Sequence, residues 1–260
     1  MVVHPLSLLH PNRAYQTVPN HSELKADPAM TATALVYVIA TMDTKGEEAA
    51  FVAERLRSLG IEAATLDVGT LQPPTTTPDV PRESVLRFSP RENSQPTLGE
   101  LGRGQAVEAM SQALVGWLAR EQAAGKVAGV IGLGGSGGTA LISPALRALP
   151  IGLPKLMVST VASGNTAPYV DCSDFLMMYS VVDVSGLNVV SRTILGNAAH
   201  AMAGMVTHPK PLQRSQLALG MTMFGVTTPC VTAVRQSLEA KGYDCLVFHA
   251  TEPGGRAMDT

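Results

Sequence analysis

The residue types best able to do chemistry stand in three short polar strings, each placed directly after an apolar run. The densest is Val130-Ile-Gly-Leu-Gly-Gly-Ser-Gly-Gly-Thr139. Glycine removes the side chain that keeps a backbone N–H away from an anion, and the N–H groups at a helix start have no partner within the helix. Gly134, Gly135, Ser136, Gly137, Gly138 and Thr139 are therefore the candidate cradle for a nucleotide phosphate. Gly132, Gly134 and Gly137 have the GxGxxG spacing. No Lys follows as in a Walker A loop, and no acidic residue closes a second strand about twenty residues on, which disfavours a standard dinucleotide site. The competing reading is a tight strand–helix turn, which five glycines in seven positions make the weaker choice.

The second string is Thr41-Met-Asp-Thr-Lys-Gly-Glu-Glu48. Thr41, Thr44 and Lys45 can hold phosphates, and Asp43 can orient Mg²⁺ or a ribose hydroxyl. The same residues also fit a helix start in which Thr44 and Glu47 form a capping box, and both readings can hold together. The third string is Ser159-Thr-Val-Ala-Ser-Gly-Asn-Thr166, with Asp171 and Asp174 beyond it. Ser163, Gly164, Asn165 and Thr166 would close the site, unless they only satisfy their own backbone as turn residues do. Asp183 and Asn188, flanking Gly186, reach toward the same edge. The histidines form no metal set; His249, at a strand end, is the one placed like a site residue. Ser136 stands among glycines, but no His and Asp partners can be assigned to it.

These strings need a scaffold that brings strand ends together. Residues 35–40 are a continuous, β-branched-rich apolar run, the pattern of a buried parallel strand. A helix is expected over 46–59, stopped by Gly60, then a strand over 63–68. Residues 72–96, rich in Pro and Thr, are expected to be a long surface loop. A helix over 103–122 carries Met110, Leu114, Trp117 and Leu118 as its apolar stripe. A strand at 127–133, a helix at 139–149, a short strand at 156–159, an apolar strand within 175–184 and a small-residue helix at 191–206 follow. The fold class is α/β: a Rossmann-like parallel sheet with helices on both faces, then the beginning of a second similar α/β subdomain. That second piece is a strand near Leu217, a turn at 225–229, a helix at 231–241 and a strand at 245–249. The expected domains are a disordered tail over 1–33, with Met30 an alternative start, a nucleotide-binding domain over 34–207, and an incomplete second subdomain over 214–260. Residues 208–211 make a linker.

The 260 residues are 45% hydrophobic, 15% charged and 4% aromatic. That is enough for a core of Val, Leu, Ala, Met and Ile. A net charge of −2 with no basic run excludes a nucleic-acid footprint. Cys172, Cys230 and Cys245 are too few and too scattered for a disulfide framework, and buried reduced thiols in the cytoplasm are expected. No apolar run is long enough to span a membrane, and the first residues lack the cationic start of a signal peptide.

Four strings in this order resemble the tomato mosaic virus resistance protein family: residues 40–46, residues 132–139, Pro154-Lys-Leu-Met-Val-Ser-Thr160 with Ala162-Ser-Gly-Asn-Thr166, and Phe224-Gly-Val-Thr-Thr228. The resemblance covers residues 35–260. It implies two Rossmann-like subdomains, ATP binding by the first, and dimers; the family name implies interference with viral replication in plants. Glu252-Pro253 stands where the resemblance leads one to expect Gly and Thr. Three functional classes share this expectation. One is an ATP-binding protein, with Mg²⁺ optional. Another is an ATP-dependent small-molecule enzyme: a ligase, phosphotransferase or hydrolase. The third is an interaction protein, with an unidentified protein partner, for which nucleotide is structural. A homodimer with no nucleic-acid or membrane partner is expected in each case.

Overall fold

A computed structural model describes residues 4–5, 34–89, 101–208 and 217–259. The expected tail over 1–33, the centre of the linker and the end of the 72–96 loop therefore lie mostly outside the described residues. The exception in the tail is β1, His4–Pro5.

The chain divides into two units. The larger is a five-stranded sheet of β2 (Leu35–Ala40), β3 (Ala63–Asp67), β4 (Val127–Gly134), β5 (Lys155–Ser159) and β6 (Leu176–Tyr179), in the order β3-β2-β4-β5-β6. All four pairings are parallel. Parallel neighbours require crossovers, and the helices supply them: α1 (Met42–Ser58), α3 (Arg103–Ala123), α4 (Ser136–Ala148) and the short α5 (Ala167–Val170), with α6 (Val189–Thr207) after the last strand. Alternation along each strand sends successive side chains to opposite faces. Tyr37, Ile39, Val130 and Met157 meet Met110, Leu114, Ile142 and Leu146 of α3 and α4. Val36, Val38, Ile131 and Val158 meet Val52, Leu56, Leu195 and Met202 of α1 and α6. Helices cover both faces, which is why β2 and β4 are unbroken apolar runs in the sequence.

Several boundaries differ from the pattern-based expectation. α1 starts at Met42 rather than Gly46, with a break in helical geometry at Lys45 (φ −132°, ψ 26°). Its N-cap is Thr41, and Thr44 donates its hydroxyl to the Thr41 carbonyl (3.2 Å) instead of forming a capping box with Glu47. α4 starts at Ser136, so the expected glycine turn is already helical. The expected loop after β3 contains α2 (Arg82–Leu86), because Val85 is fully buried and Arg82 is tied to Asp67. The apolar run over 175–184 is strand only to Tyr179. No cysteine is buried: Cys172 and Cys245 are half-buried and Cys230 is exposed.

The smaller unit runs β7 (Ala218–Met223), α7 (Thr228–Glu239), β8 (Asp244–His249) and α8 (Glu252–Asp259). β7 and β8 are parallel, and β1 pairs antiparallel with β7. Gly254 and Gly255 lie within α8. Among the described residues of this unit, Met221 and Val231 are its buried apolar side chains.

Candidate functional site

In a sheet of this order the crossovers leave β2 and β4 toward opposite faces. Their carboxyl ends diverge and leave a crevice, the usual place for a ligand in open α/β sheets. The structure has an open cleft of about 650 Å³ there. That falls within the range of roughly 300–1,000 Å³ typical of small-molecule sites. Thr41, Asp43, Thr44 and Lys45 line one side, and Gly135, Ser136, Gly137 and Gly138 line the other. Two strings about ninety residues apart in the sequence thus share one cavity. A second hollow, of about 10 Å³ beneath residues 180–184, is too small for more than a water.

The glycine wall is built from backbone. Gly134 ends β4 fully within the fold; a Cβ there would lie 2.9 Å from the Gly138 carbonyl carbon and the Thr139 nitrogen. Gly134 therefore allows helix and strand to touch, and does not itself line the cleft. Thr139 is also internal, with its hydroxyl 2.8 Å from the Gly135 carbonyl and 2.6 Å from the Ser159 hydroxyl. Between these two fixed points, residues 135–138 are half-buried or exposed. The cap residue is Gly135, which has no side chain to cap with, and the first bond of α4 runs from Thr139 N–H to the Gly135 carbonyl. The N–H groups of Ser136, Gly137 and Gly138 accordingly have no acceptor within the helix. A Cβ on Gly135 would meet only Thr160 Oγ1, at 3.7 Å, and one on Gly137 would meet nothing. Space and donors coincide, as an anion site requires.

The opposite wall is built from side chains. Asp67, buried at the end of β3, accepts from Met42 N–H (3.0 Å) and Gly69 N–H (2.7 Å) and is paired with Arg82 at 2.6 Å. This fixes the first turn of α1. Thr75 N–H then donates to the Met42 carbonyl (2.8 Å), and Leu71 N–H donates to the Asp43 carboxylate (3.2 Å). Lys45 is half-buried, with its ammonium 3.5 Å from the Thr44 hydroxyl and no ion pair among the described residues.

Residues not singled out as ligands in the sequence also line the cleft: Thr70, Leu71, Arg103, Val107, Thr160, Tyr179, Val181 and Val182. Arg103 had a signal. It is a cation in the first turn of α3, which holds no acidic residue, and a cation there opposes the helix dipole. The formal side-chain charges of the lining, Lys45 and Arg103 against Asp43 and Asp183, cancel. The net side-chain charge of the lining thus favours neither sign, and the helix N-termini tip the cleft toward an anion.

Ser163, Gly164, Asn165 and Thr166 are not among the cleft-lining residues; Thr160 is the member of their loop that is. Asn165 Oδ1 accepts from Ala167 N–H (3.2 Å), a local turn contact. Asn188 caps α6 through Val190 and Ser191 N–H rather than reaching the cleft. Asp174 is ion-paired with the buried Lys155, and hydrogen bonds from Lys155 and Gly152 outweigh burial to hold its carboxyl below the ordinary carboxylate range. His249 lies in the smaller unit, tilted against Phe224.

Residues 34–211 match the model of the N-terminal domain of an uncharacterised protein family, UPF0261, and residues 216–260 match that family's C-terminal domain. The chain belongs to the UPF0261 family. A UPF0261 protein of Mesorhizobium japonicum is 47% identical over 224 residues, covering 86% of this chain and 55% of the relative. The UPF0261 protein RA0729 of Rhizobium meliloti is 49% identical over 225 residues with the same coverage. The ToMV resistance protein Tm-1(GCR237) of Solanum lycopersicum is 42% identical over 245 residues, covering 86% of this chain and 32% of the relative. The chain spans about half the length of the bacterial UPF0261 relatives it matches. No helix among the described residues of this UPF0261 chain is long and apolar enough to cross a membrane.

Proposed function

We propose that this UPF0261 chain is an ATP-binding protein whose phosphates lie on residues 135–138. The observation that carries the reading is the glycine-capped start of α4. It offers three backbone donors without helix partners to a cleft of ligand size, opposite Lys45 and Arg103. The N-terminal end of a helix favours negative charge, and a glycine cap leaves room for it. Lys45 acts as a point charge on phosphate, and Asp43 carries Mg²⁺ when the ion accompanies ATP. Self-association belongs to the same proposal: β7 and β8 leave most of their apolar side chains half-exposed, and unpaired strand edges favour association.

Calorimetry with ATP and Mg²⁺ tests the reading on wild type and Gly135→Val. The substituted side chain has room in the protein, so the melting temperature stays near wild type. It occupies the approach of the anion, so affinity falls by at least about tenfold, on the order of 1.4 kcal/mol. Unchanged affinity would remove the central claim. Turnover of ATP with a metabolite would add an enzyme reading to the same cleft, whereas binding without turnover would make the nucleotide structural.

A further inference from the structure

The cleft has a second end that phosphate binding does not explain. Its most unusual feature is Val181, with φ +65° and 54% of its surface exposed. A β-branched residue in this region is a true backbone outlier. Val182 N–H donates to the Ser180 carbonyl at 2.7 Å, which closes a three-residue γ-turn around Val181 in its rare, strained form. The surrounding structure enforces it. Ser180 is buried, its N–H bonds the Ser159 carbonyl (3.2 Å) and its hydroxyl bonds the Val182 carbonyl (2.6 Å). Further along, Val184 is buried, and Gly186 N–H donates to the buried Glu48 carboxylate at 2.6 Å. Glycine or asparagine would adopt this turn with little strain. A valine that is strained and also exposed contributes neither conformational ease nor core packing. Strain held in place by its surroundings is characteristic of ligand clamps.

Beside it stands Tyr179, 42% exposed on the edge strand. The register pairs Gly134 with Ser159 and Ser159 with Tyr179. Tyr179 therefore points to the same face of the sheet as Ser159, whose hydroxyl meets α4, and it lies two strand spacings, roughly 10 Å, from the glycine loop. We propose that Tyr179 and Val181 seat a flat heteroaromatic ring, the base of a nucleotide whose phosphates lie on residues 135–138. The inference rests on the phosphate reading for its second anchor. The tyrosine offers a ring face for stacking, the valine an apolar edge, and the space between them and the glycine loop takes the sugar.

The test compares ATP, inorganic tripolyphosphate and adenosine on the full chain by calorimetry, for wild type, Tyr179→Ala and Val181→Gly. Wild type is expected to bind ATP at least about tenfold tighter than tripolyphosphate, the excess that one base–aromatic stack supplies. Tyr179→Ala removes that excess and leaves tripolyphosphate binding unchanged. Val181→Gly weakens ATP while its melting temperature holds or rises, because glycine relieves the turn. Equal affinity of wild type for ATP and tripolyphosphate overturns the ring seat and leaves the phosphate site standing. ATP affinity unchanged in both variants overturns it as well. Adenosine binding that depends on Tyr179, without tripolyphosphate binding, supports the ring seat and removes the phosphate reading. Absence of binding by all three probes overturns both.

Discussion

The two walls of the cleft meet at one crevice and are made of opposite materials. The α4 wall presents main chain: residues 135–138 carry one hydroxyl among them, and the fold holds them from behind through Gly134 and Thr139. The α1 wall presents side chains, and these are placed by a further layer of side chains, Asp67, Arg82 and Thr75. Backbone donors at a helix start are fixed by the helix itself. Side-chain donors need support, because a lysine or threonine alone has rotamers to lose. The glycine wall should therefore tolerate most changes except added volume, whereas the other wall should fail when its buried charges are disturbed.

The largest expected effect is at Asp67. Asp67→Ala leaves Arg82 buried without its partner and frees the first N–H of α1. Thermal and urea melts should show a loss of about 3–5 kcal/mol. A loss no greater than that of an exposed substitution would mean that the wall does not depend on this pair. Next is Gly134→Ala, where one methyl group meets backbone on the far side of the contact. Denaturant titration should give a loss of about 1–3 kcal/mol, in contrast with the stable Gly135→Val one residue away. If the neighbours behave alike, Gly134 has no packing role distinct from the ligand-facing glycines.

Lys45→Met sharpens the comparison on the binding side. Removing the ammonium while keeping much of the stem should weaken ATP roughly tenfold, about 1.5 kcal/mol for one charged contact. Lys241→Met, in the smaller unit, serves as the control; equal effects at the two sites would make Lys45 a solvated surface residue. The smallest effect is acid sensitivity at Asp79, which braces β3. Burial pushes its carboxyl up, but hydrogen bonds from Thr65 and the Arg57 guanidinium more than offset this and hold it below its ordinary value. A lowered folded pKa gives stability that is present above the ordinary carboxylate range, near 3.8, and is lost as pH falls through the folded value. Melts below about pH 4 should lose stability less steeply in Asp79→Asn than in wild type.

Much of the large unit was legible because both faces of its sheet are covered. Buried parallel strands must be apolar throughout, so residues 35–40 and 127–133 announce themselves. Helix starts were less legible. A glycine run usually breaks structure, yet Ser136, Gly137 and Gly138 are helical, because the first turn asks nothing of their N–H groups and Gly134 lets the helix touch the strand. α2 was hidden among prolines and threonines, since its reason for existing is the distant pair Arg82–Asp67 and the pocket that Val85 fills. Of the candidate ligand residues, those directly after β2 and β4 line the cleft, while residues 163–166, the end of the 3-10 turn Thr160–Ser163 and the three residues after it, do not.

The parallel α/β sheet, the glycine loop after β4 and the polar loop after β2 can be read from the chain alone, because they are local patterns of period and composition. That the two loops face each other emerges only once the sheet is assembled. That depends on strand order, which places β2 beside β4 and sends α1 and α4 to opposite faces. The same assembly brings Arg103, Tyr179 and the strained Val181 into one crevice, because proximity across a sheet follows from register and crossover, and neither is written in any one stretch of chain.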